Sequence, residues 1–178
     1  MNYQNLENNI IDILVEQQLK LGYEKGAVSL YYPAKSLINL LKCESYSLDE
    51  LDIALREFAD FVRERIGEIS LQRTEERYRI TIPEAGSEYV HDHMGDTSFL
   101  QKFLATIWKH GCTIEQILDV FYEFSSNVIF KKMERQDFDY LIYFEAENID
   151  THRYCIKKEG SHMIYHRYTK EDYIEFGF

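Results

Sequence analysis

Apolar residues recur every three or four positions along several segments of the chain, which is the spacing of one face of an α-helix. The pattern predicts a first helix over about residues 6–21 that ends at Gly22, and a short second helix after Pro33. A capping box at 47–50 opens a third helix, whose apolar stripe continues to Ile66. Each of these helices has an apolar face that it must bury against the others.

Runs that alternate apolar and polar residues predict strands between and after these helices. Residues 27–32 form a short β-prone run, whereas 69–72 and 78–82 flank a charged loop and are typical of an antiparallel hairpin. The order helix, strand, helix, helix, hairpin resembles the winged-helix fold over residues 6–83. A plain three-helix unit with an appended hairpin is the alternative interpretation.

The second half of the chain has a different pattern and most of the aromatic residues. Residues 84–96 predict a connector, so the winged-helix-like module takes residues 1–86 and an α+β module takes residues 87–178. In this second module we expect a helical hairpin, an antiparallel sheet and a short final helix. We expect strands at 128–130, 140–144, 153–157 and 163–167, and the last helix at 169–178. The fold class is therefore α+β, and packing of the two modules as one unit stays open.

Composition and charge restrict the function further. The chain is 45% hydrophobic and 29% charged, as in globular proteins, and no apolar run is long enough to span a membrane. We therefore expect a cytoplasmic protein without a membrane partner. Three widely spaced cysteines predict reduced thiols and no disulfide framework. The net charge of -11 disfavours nucleic acid as a partner, because the protein's field repels phosphate on average.

The DNA-binding use of a winged helix can be tested on its third helix, whose exposed face should be basic. Here that face is mostly acidic, with Asp49, Glu50, Asp52, Glu57 and Asp60. A group of arginines near the end of this helix and in the hairpin remains a candidate contact for nucleic acid or a protein partner. The group consists of Arg63, Arg65, Arg73, Arg77 and Arg79. Salt-bridged surface charge explains the same residues, so a DNA-binding regulator with an arginine-rich wing is an alternative and not the leading hypothesis.

A possible pocket lies in the last predicted hairpin, for which we expect a Glu-Gly turn at 159–160. This turn would place Cys155 opposite Ile164, with His162 and His166 as diagonal neighbours on the same face. A thiol beside an imidazole is the chemistry of a nucleophile and its base, which makes a small-molecule sensor or enzyme the second alternative. Inert packing is the more common explanation of a half-buried thiol among sheet residues, and no third group is identifiable that would orient the imidazole.

No motif in the chain names a reaction. There is no phosphate-binding glycine loop, no HExxH and no nucleophile elbow, and the closely spaced His91 and His93 lack a third ligand for a metal. The sequence therefore predicts no catalytic residues, no cofactor and no metal site. The leading hypothesis is a non-enzymatic protein-interaction or regulatory module that contacts another protein or a second copy of itself.

Three segments of the chain resemble an uncharacterised bacterial family, a domain of unknown function from gut-type Firmicutes. They are Leu30-Tyr31-Tyr32-Pro33, Phe138-Asp139-Tyr140-Leu141-Ile142-Tyr143-Phe144 and Ile164-Tyr165-His166-Arg167. The resemblance spans most of the chain and implies a bacterial, cytoplasmic protein. It implies no activity, cofactor or catalytic residue.

Overall fold

The computed structural model describes residues 1–43, 47–146 and 148–175, and contacts divide the chain into two compact units. Unit 1 is Met1–Gly95 and unit 2 is Asp96–Phe178. Both units contain helices and strands, and each has its own antiparallel sheet. The predicted α+β class is confirmed.

Unit 1 has the predicted order of helix, strand, helix, helix and hairpin, followed by one more helix. Its elements are α1 (Tyr3–Leu21), β1 (Val28–Pro33), α2 (Ala34–Leu40), α3 (Leu48–Ile66), β2 (Ser70–Thr74), β3 (Arg77–Ile82) and α4 (Glu84–Asp92). The hydrophobic core of the unit joins the buried faces of α1, α2 and α3 to one face of the sheet. The helices therefore cover one side of the sheet.

The capping box that the sequence predicts at the start of α3 is present. The Glu50 amide donates to the Ser47 hydroxyl at 3.3 Å, and the Glu50 carboxylate accepts from the Ser47 amide at 2.8 Å. The apolar stripe that follows is fully buried along the length of the helix, from Leu51 to Ile66. At Gly67 the backbone turns to a φ of 79°, which ends the helix where predicted.

The sheet of unit 1 has the strand order β1-β3-β2, with β3 in the middle. Alternate residues of β3 are buried, namely Tyr78, Ile80 and Ile82, while Arg77 and Arg79 between them are exposed. Leu30 of β1 lies opposite Ile80, so the two strands bury the same face. The other face of this sheet is open to solvent.

The connector expected at residues 84–96 is wrong for most of its length, because Glu84–Asp92 forms α4. This helix packs against α1 and α3 and buries Val90. At Gly86 an added Cβ would lie 2.3 Å from the Ile66 carbonyl oxygen, so the helix approaches the end of α3 too closely for any other residue. The first unit therefore extends to Gly95 and includes α4, instead of ending at residue 86. The helix α4 is too short for a repeating pattern of apolar residues to predict it from the sequence.

Unit 2 begins with two helices and continues with a four-stranded sheet in the order β4-β5-β6-β7. Its elements are α5 (Ser98–Ile107), α6 (Ile114–Phe124), β4 (Val128–Lys132), β5 (Tyr140–Phe144), β6 (Arg153–Glu159), β7 (His162–Tyr168) and α7 (Lys170–Glu175). Aromatic side chains dominate the core: Phe99 and Phe121 contact the sheet residues Phe144 and Tyr154, with ring centroids 4.8–5.8 Å apart.

The turn between β6 and β7 differs by one residue from the expected one. Glu159 pairs with His162, so the two-residue turn is Gly160-Ser161, and Gly160 has the positive φ of 60° that such a turn requires. Cys155 therefore lies opposite His166 instead of Ile164. Moving the turn by one position shifts the pairing by two, so the predicted faces of both strands are kept. The last helix is described over Lys170–Glu175, and residues 176–178 of its predicted range lie outside the described residues.

Candidate functional site

The exposed face of α3 is acidic, as the sequence indicates. Asp49, Glu50, Glu57 and Asp60 are exposed along it, with Arg56 between them. If this helix entered a DNA groove, the acids would lie next to phosphates and repel them. They would also release no counterions from the DNA, so the main favourable contribution to binding would be missing.

Two of the candidate arginines are held by carboxylates of the helices. Arg65 donates from Nε and from a terminal nitrogen to the two carboxylate oxygens of Glu7, at 2.5 and 3.0 Å. This hydrogen bonding raises the pKa of the Arg65 guanidinium, and Glu7 itself is only 1% exposed. Arg63 donates to Asp60, one turn earlier on α3, at 2.5 Å. Both side chains therefore have partners within unit 1.

Arg73 belongs to the helix side of the hairpin. It lies opposite Tyr78, whose ring is buried, and its guanidinium is 3.3 Å from Asp52 and 3.5 Å from Asp49. Asp52 also accepts from the Tyr78 hydroxyl at 2.8 Å. Burial, followed by this hydrogen bond, raises the pKa of Tyr78 to about 12. Arg73 thus ties the hairpin to α3.

Arg77 and Arg79 point to the opposite side of the same hairpin. Within the part of the chain that the structure describes, neither has a carboxylate oxygen within 4.0 Å. The five candidate arginines therefore do not form one patch, because the alternation of the strands separates Arg77 and Arg79 from Arg73.

The open side of the sheet in unit 1 places an exposed aromatic ring beside these two arginines. Tyr31 of β1 and Gln72 of β2 both lie opposite Arg79, one on each side of it, and Tyr31 is 67% exposed. We call this side the outer sheet face. It comprises Ser29, Tyr31, Pro33, Ser70, Gln72, Thr74, Arg77, Arg79 and Thr81. A groove of about 580 Å³ runs over it, and Glu75 and Glu76 line this groove at the turn end of the hairpin.

The other predicted site, around Cys155, is only partly brought together. Cys155 and His166 are neighbours on one face of the sheet in unit 2, but the thiol is fully buried and burial raises its pKa to about 11. His166 is exposed and lines an open groove with Phe138 and Tyr168. His162 lies at the turn, where its ring is 5.4 Å from that of His110. The thiol is therefore protonated at neutral pH and covered.

A buried polar cluster in unit 2 is a feature that the sequence analysis missed. Asp150 accepts from the Tyr154 hydroxyl at 2.8 Å and lies 2.9 Å from Nδ1 of His152, and Arg167 donates to the Tyr154 oxygen at 3.2 Å. Burial tends to raise the pKa of Asp150, but His152 and Arg167 outweigh it, so this pKa lies below its ordinary value of 3.8. The Arg167 side chain is only 4% exposed. The cluster is enclosed, which suits a structural role.

The closely spaced histidines at the end of α4, His91 in its last turn and His93 just after it, each stack on a tyrosine. His91 lies 4.1 Å from the ring of Tyr23, and His93 lies 4.2 Å from that of Tyr89. Among the described residues, no three histidine, cysteine, aspartate or glutamate side chains lie close enough together to hold a metal ion. None of the helices that the structure describes has the length and hydropathy of a membrane span.

A family model matches residues 3–177, nearly the whole chain, and its description reads "Domain of unknown function, E. rectale Gene description (DUF3877)". The chain belongs to the DUF3877 family. The resemblance to an uncharacterised Firmicutes family is therefore confirmed. Comparisons with curated proteins and with solved structures found no match.

The sequence of this DUF3877 chain did not identify Tyr31, which lies on the outer sheet face, as a site residue. Part of the signal is in the sequence, because Val28 and Leu30 are apolar at alternate positions of the predicted strand and Tyr31 falls on the other side. What the sequence lacked was the pairing partner, since β1 joins β3, which begins 44 residues after β1 ends at Pro33 (77 − 33).

Proposed function

We propose that this DUF3877 protein is a non-enzymatic protein-interaction module, and that its partner contacts the outer sheet face. The observation that carries the proposal is the row formed by exposed Tyr31 and Arg79, with Arg77 beside it and no carboxylate bound to either arginine among the described residues. Tyrosine and arginine are the residue types most often responsible for binding energy at protein interfaces.

The position of these side chains on a sheet favours binding. Arg77 and Arg79 belong to the central strand, which is paired on both sides, so their backbone is held in place before a partner arrives. A guanidinium that already has a carboxylate would have to exchange it for a partner's group. Arg77 and Arg79 do not face that cost, in contrast to Arg65 with its Glu7.

Several observations support a role without catalysis. Cys155, the candidate nucleophile, is covered and protonated at neutral pH, and its predicted neighbour His162 lies at the hairpin turn. Among the described residues that line the groove on the outer sheet face, no reactive side chain lies next to a buried base. These features suit recognition of a surface more than conversion of a small molecule.

The alternative of a DNA-binding regulator gains less support. The order of elements and the sheet order β1-β3-β2 suit a winged-helix-like scaffold. However, Arg63, Arg65 and Arg73 are paired with acids, and the exposed face of α3 is acidic. We therefore propose that this scaffold contacts protein.

Site-specific photocrosslinking in the source cells tests this function. A benzoylphenylalanine placed at Tyr31 should give discrete crosslinked protein adducts, because this ring lies in the proposed interface. The matched control places the same probe at Tyr122, an equally aromatic position on α6 that is 51% exposed. The absence of adducts from position 31, or the same adducts from both positions, would contradict the proposal.

A further inference from the structure

We infer that the segment bound at the outer sheet face is an acidic polypeptide in extended conformation, with two carboxylates two residues apart that pair with Arg77 and Arg79. The inference rests on the proposed function and adds the chemistry of the partner. It applies to a short stretch of another protein that crosses the central strand.

The spacing of the two arginines carries the first step. Arg77 and Arg79 are alternate residues of one strand, and a rise of about 3.3 Å per residue puts alternate side chains roughly 7 Å apart. An extended peptide repeats its side chains on one face at the same distance. Each guanidinium presents a planar fork of donors that matches one carboxylate. Two acids separated by one residue therefore fit the pair without distortion of either chain.

The neighbours of the two arginines suit the rest of such a segment. Gln72 and Thr74 of β2 lie opposite Arg79 and Arg77 and offer side-chain hydrogen bonds to a peptide backbone. Tyr31 supplies exposed aromatic surface on the other side of Arg79, against which an apolar side chain of the segment can pack. The face thus combines charge pairing at its centre with apolar contact at one edge.

The charge distribution favours a short acidic peptide over a nucleic acid. Two arginines neutralise about two phosphates, and each phosphate contact contributes only about one counterion to the binding equilibrium. That is a small gain for a protein of net charge -11. Glu75 and Glu76 stand at one end of the groove, where a nucleic-acid backbone would have to continue. A peptide segment can end or carry neutral residues there.

The binding test uses the full chain and three fluorescent probes at low ionic strength, read by anisotropy. They are an octapeptide that alternates glutamate with threonine and leucine, the same peptide with glutamine for glutamate, and a single-stranded oligothymidylate. The glutamate peptide should bind, and the double variant Arg77→Gln/Arg79→Gln should weaken it by about tenfold or more. Tyr31→Ser should weaken it as well.

Arg56→Gln is the matched control, because it removes an exposed arginine from α3 on the helix side of the sheet. It should change the affinity by less than about twofold. Because all the substituted side chains are exposed, thermal unfolding of each variant should match the unchanged protein. Arg79→Gln alone replaces the double variant in the comparison if the latter unfolds early.

Three outcomes overturn the inference. The first is equal affinity for the glutamate and glutamine peptides, or no binding of either. The second is tighter binding of the oligothymidylate that is lost in the double variant, since the partner would then be a nucleic acid. The third is self-association of the protein, measured by sedimentation, that disappears in the double variant and identifies a second copy as the occupant. Crosslinks from position 31 combined with a failed peptide test would leave the proposed function standing and reject the acidic partner alone.

Discussion

Asp150 illustrates how a single buried carboxylate can link two strands. It lies before β6 and reaches Tyr154 on that strand, and Arg167 of β7 approaches both groups. Because charge and hydrogen bonds from His152 and Arg167 outweigh the cost of burial, its pKa is lower in the folded protein than its ordinary value of 3.8. A lowered pKa means that the ionised form stabilises the fold.

Asp150→Asn should therefore destabilise the protein by about 1–3 kcal/mol at neutral pH, since it removes the charge that Tyr154 and Arg167 surround. The stabilisation by ionised Asp150 is complete above the pKa that this residue has in the unfolded chain. It is lost as the pH falls through the lower pKa that Asp150 has in the folded protein. The difference from the unchanged protein should thus begin to narrow below about pH 5 and should continue to narrow as the pH falls through the folded pKa of Asp150. Urea unfolding of both proteins at several pH values measures this difference in the free energy of unfolding.

Asp119→Asn is the control for this prediction, because Asp119 is an exposed carboxylate on α6. It should change the free energy of unfolding by less than about 0.5 kcal/mol at any pH. A difference between Asp150→Asn and the unchanged protein that stays constant from neutral to acid pH would show that the charge of Asp150 does not stabilise the fold.

Among the helices, α4 shows how far a short element can depend on one contact. Its glycine at position 86 lies against the last turn of α3, where an added Cβ would meet the Ile66 carbonyl oxygen at 2.3 Å and Ile82 Cγ2 at 2.6 Å. Neither of these atoms belongs to the far end of a flexible side chain. The helix must move away to accept any larger residue.

Gly86→Ala should consequently cost about 2–3 kcal/mol of stability through overpacking, although alanine is the better helix former. Gly95→Ala is the comparison, since a Cβ there meets nothing within 4 Å and only the positive φ of 63° opposes it. We expect the Gly95→Ala change to cost about 1 kcal/mol, because an L-residue at positive φ brings its Cβ close to the backbone. Thermal and urea unfolding of the two variants compare the costs, and an equal loss at both positions would contradict the close approach of α4.

The accuracy of prediction differed between elements for a physical reason. Ser47 with Glu50, and Thr113 with Gln116, are local signals, and both helices begin where these capping boxes predict. The hairpin turn at Gly160-Ser161 was placed one residue early, because either dipeptide with this glycine satisfies turn chemistry. Burial of the faces of β6 and β7 fixes how the two strands pair, and this burial depends on contacts outside the hairpin.

The division of the whole chain also depends on α4. The core of unit 1 includes Val90, and Gly86 and Ser87 are buried with it. The boundary that the sequence predicts, at residue 86, would therefore cut through a packed helix instead of a connector. The unit should need its residues up to Gly95 to be complete.

A fragment of residues 1–95 should fold cooperatively, whereas a fragment of residues 1–86 should lose about 2 kcal/mol or more, because it lacks Val90 and exposes the apolar surface that α4 covers. Circular dichroism melts of the two fragments provide the measurement. A fragment of residues 1–92, which keeps α4 but lacks the last three residues, is the control and should match 1–95. Equal melting temperatures for 1–86 and 1–95 would contradict the assignment of α4 to this unit.

Helix starts, strand alternation, the α+β class and the acidic face of α3 followed from the amino-acid order, because they depend on residues within one or two turns of each other. The outer sheet face, as a candidate binding surface, did not follow from the amino-acid order. Glu7 neutralises Arg65 from 58 positions away, and Tyr31 meets Arg79 only because β1 pairs with β3. Five arginines that look alike in the sequence therefore divide into three held by carboxylates and two that lie beside Tyr31, and long-range packing makes that difference.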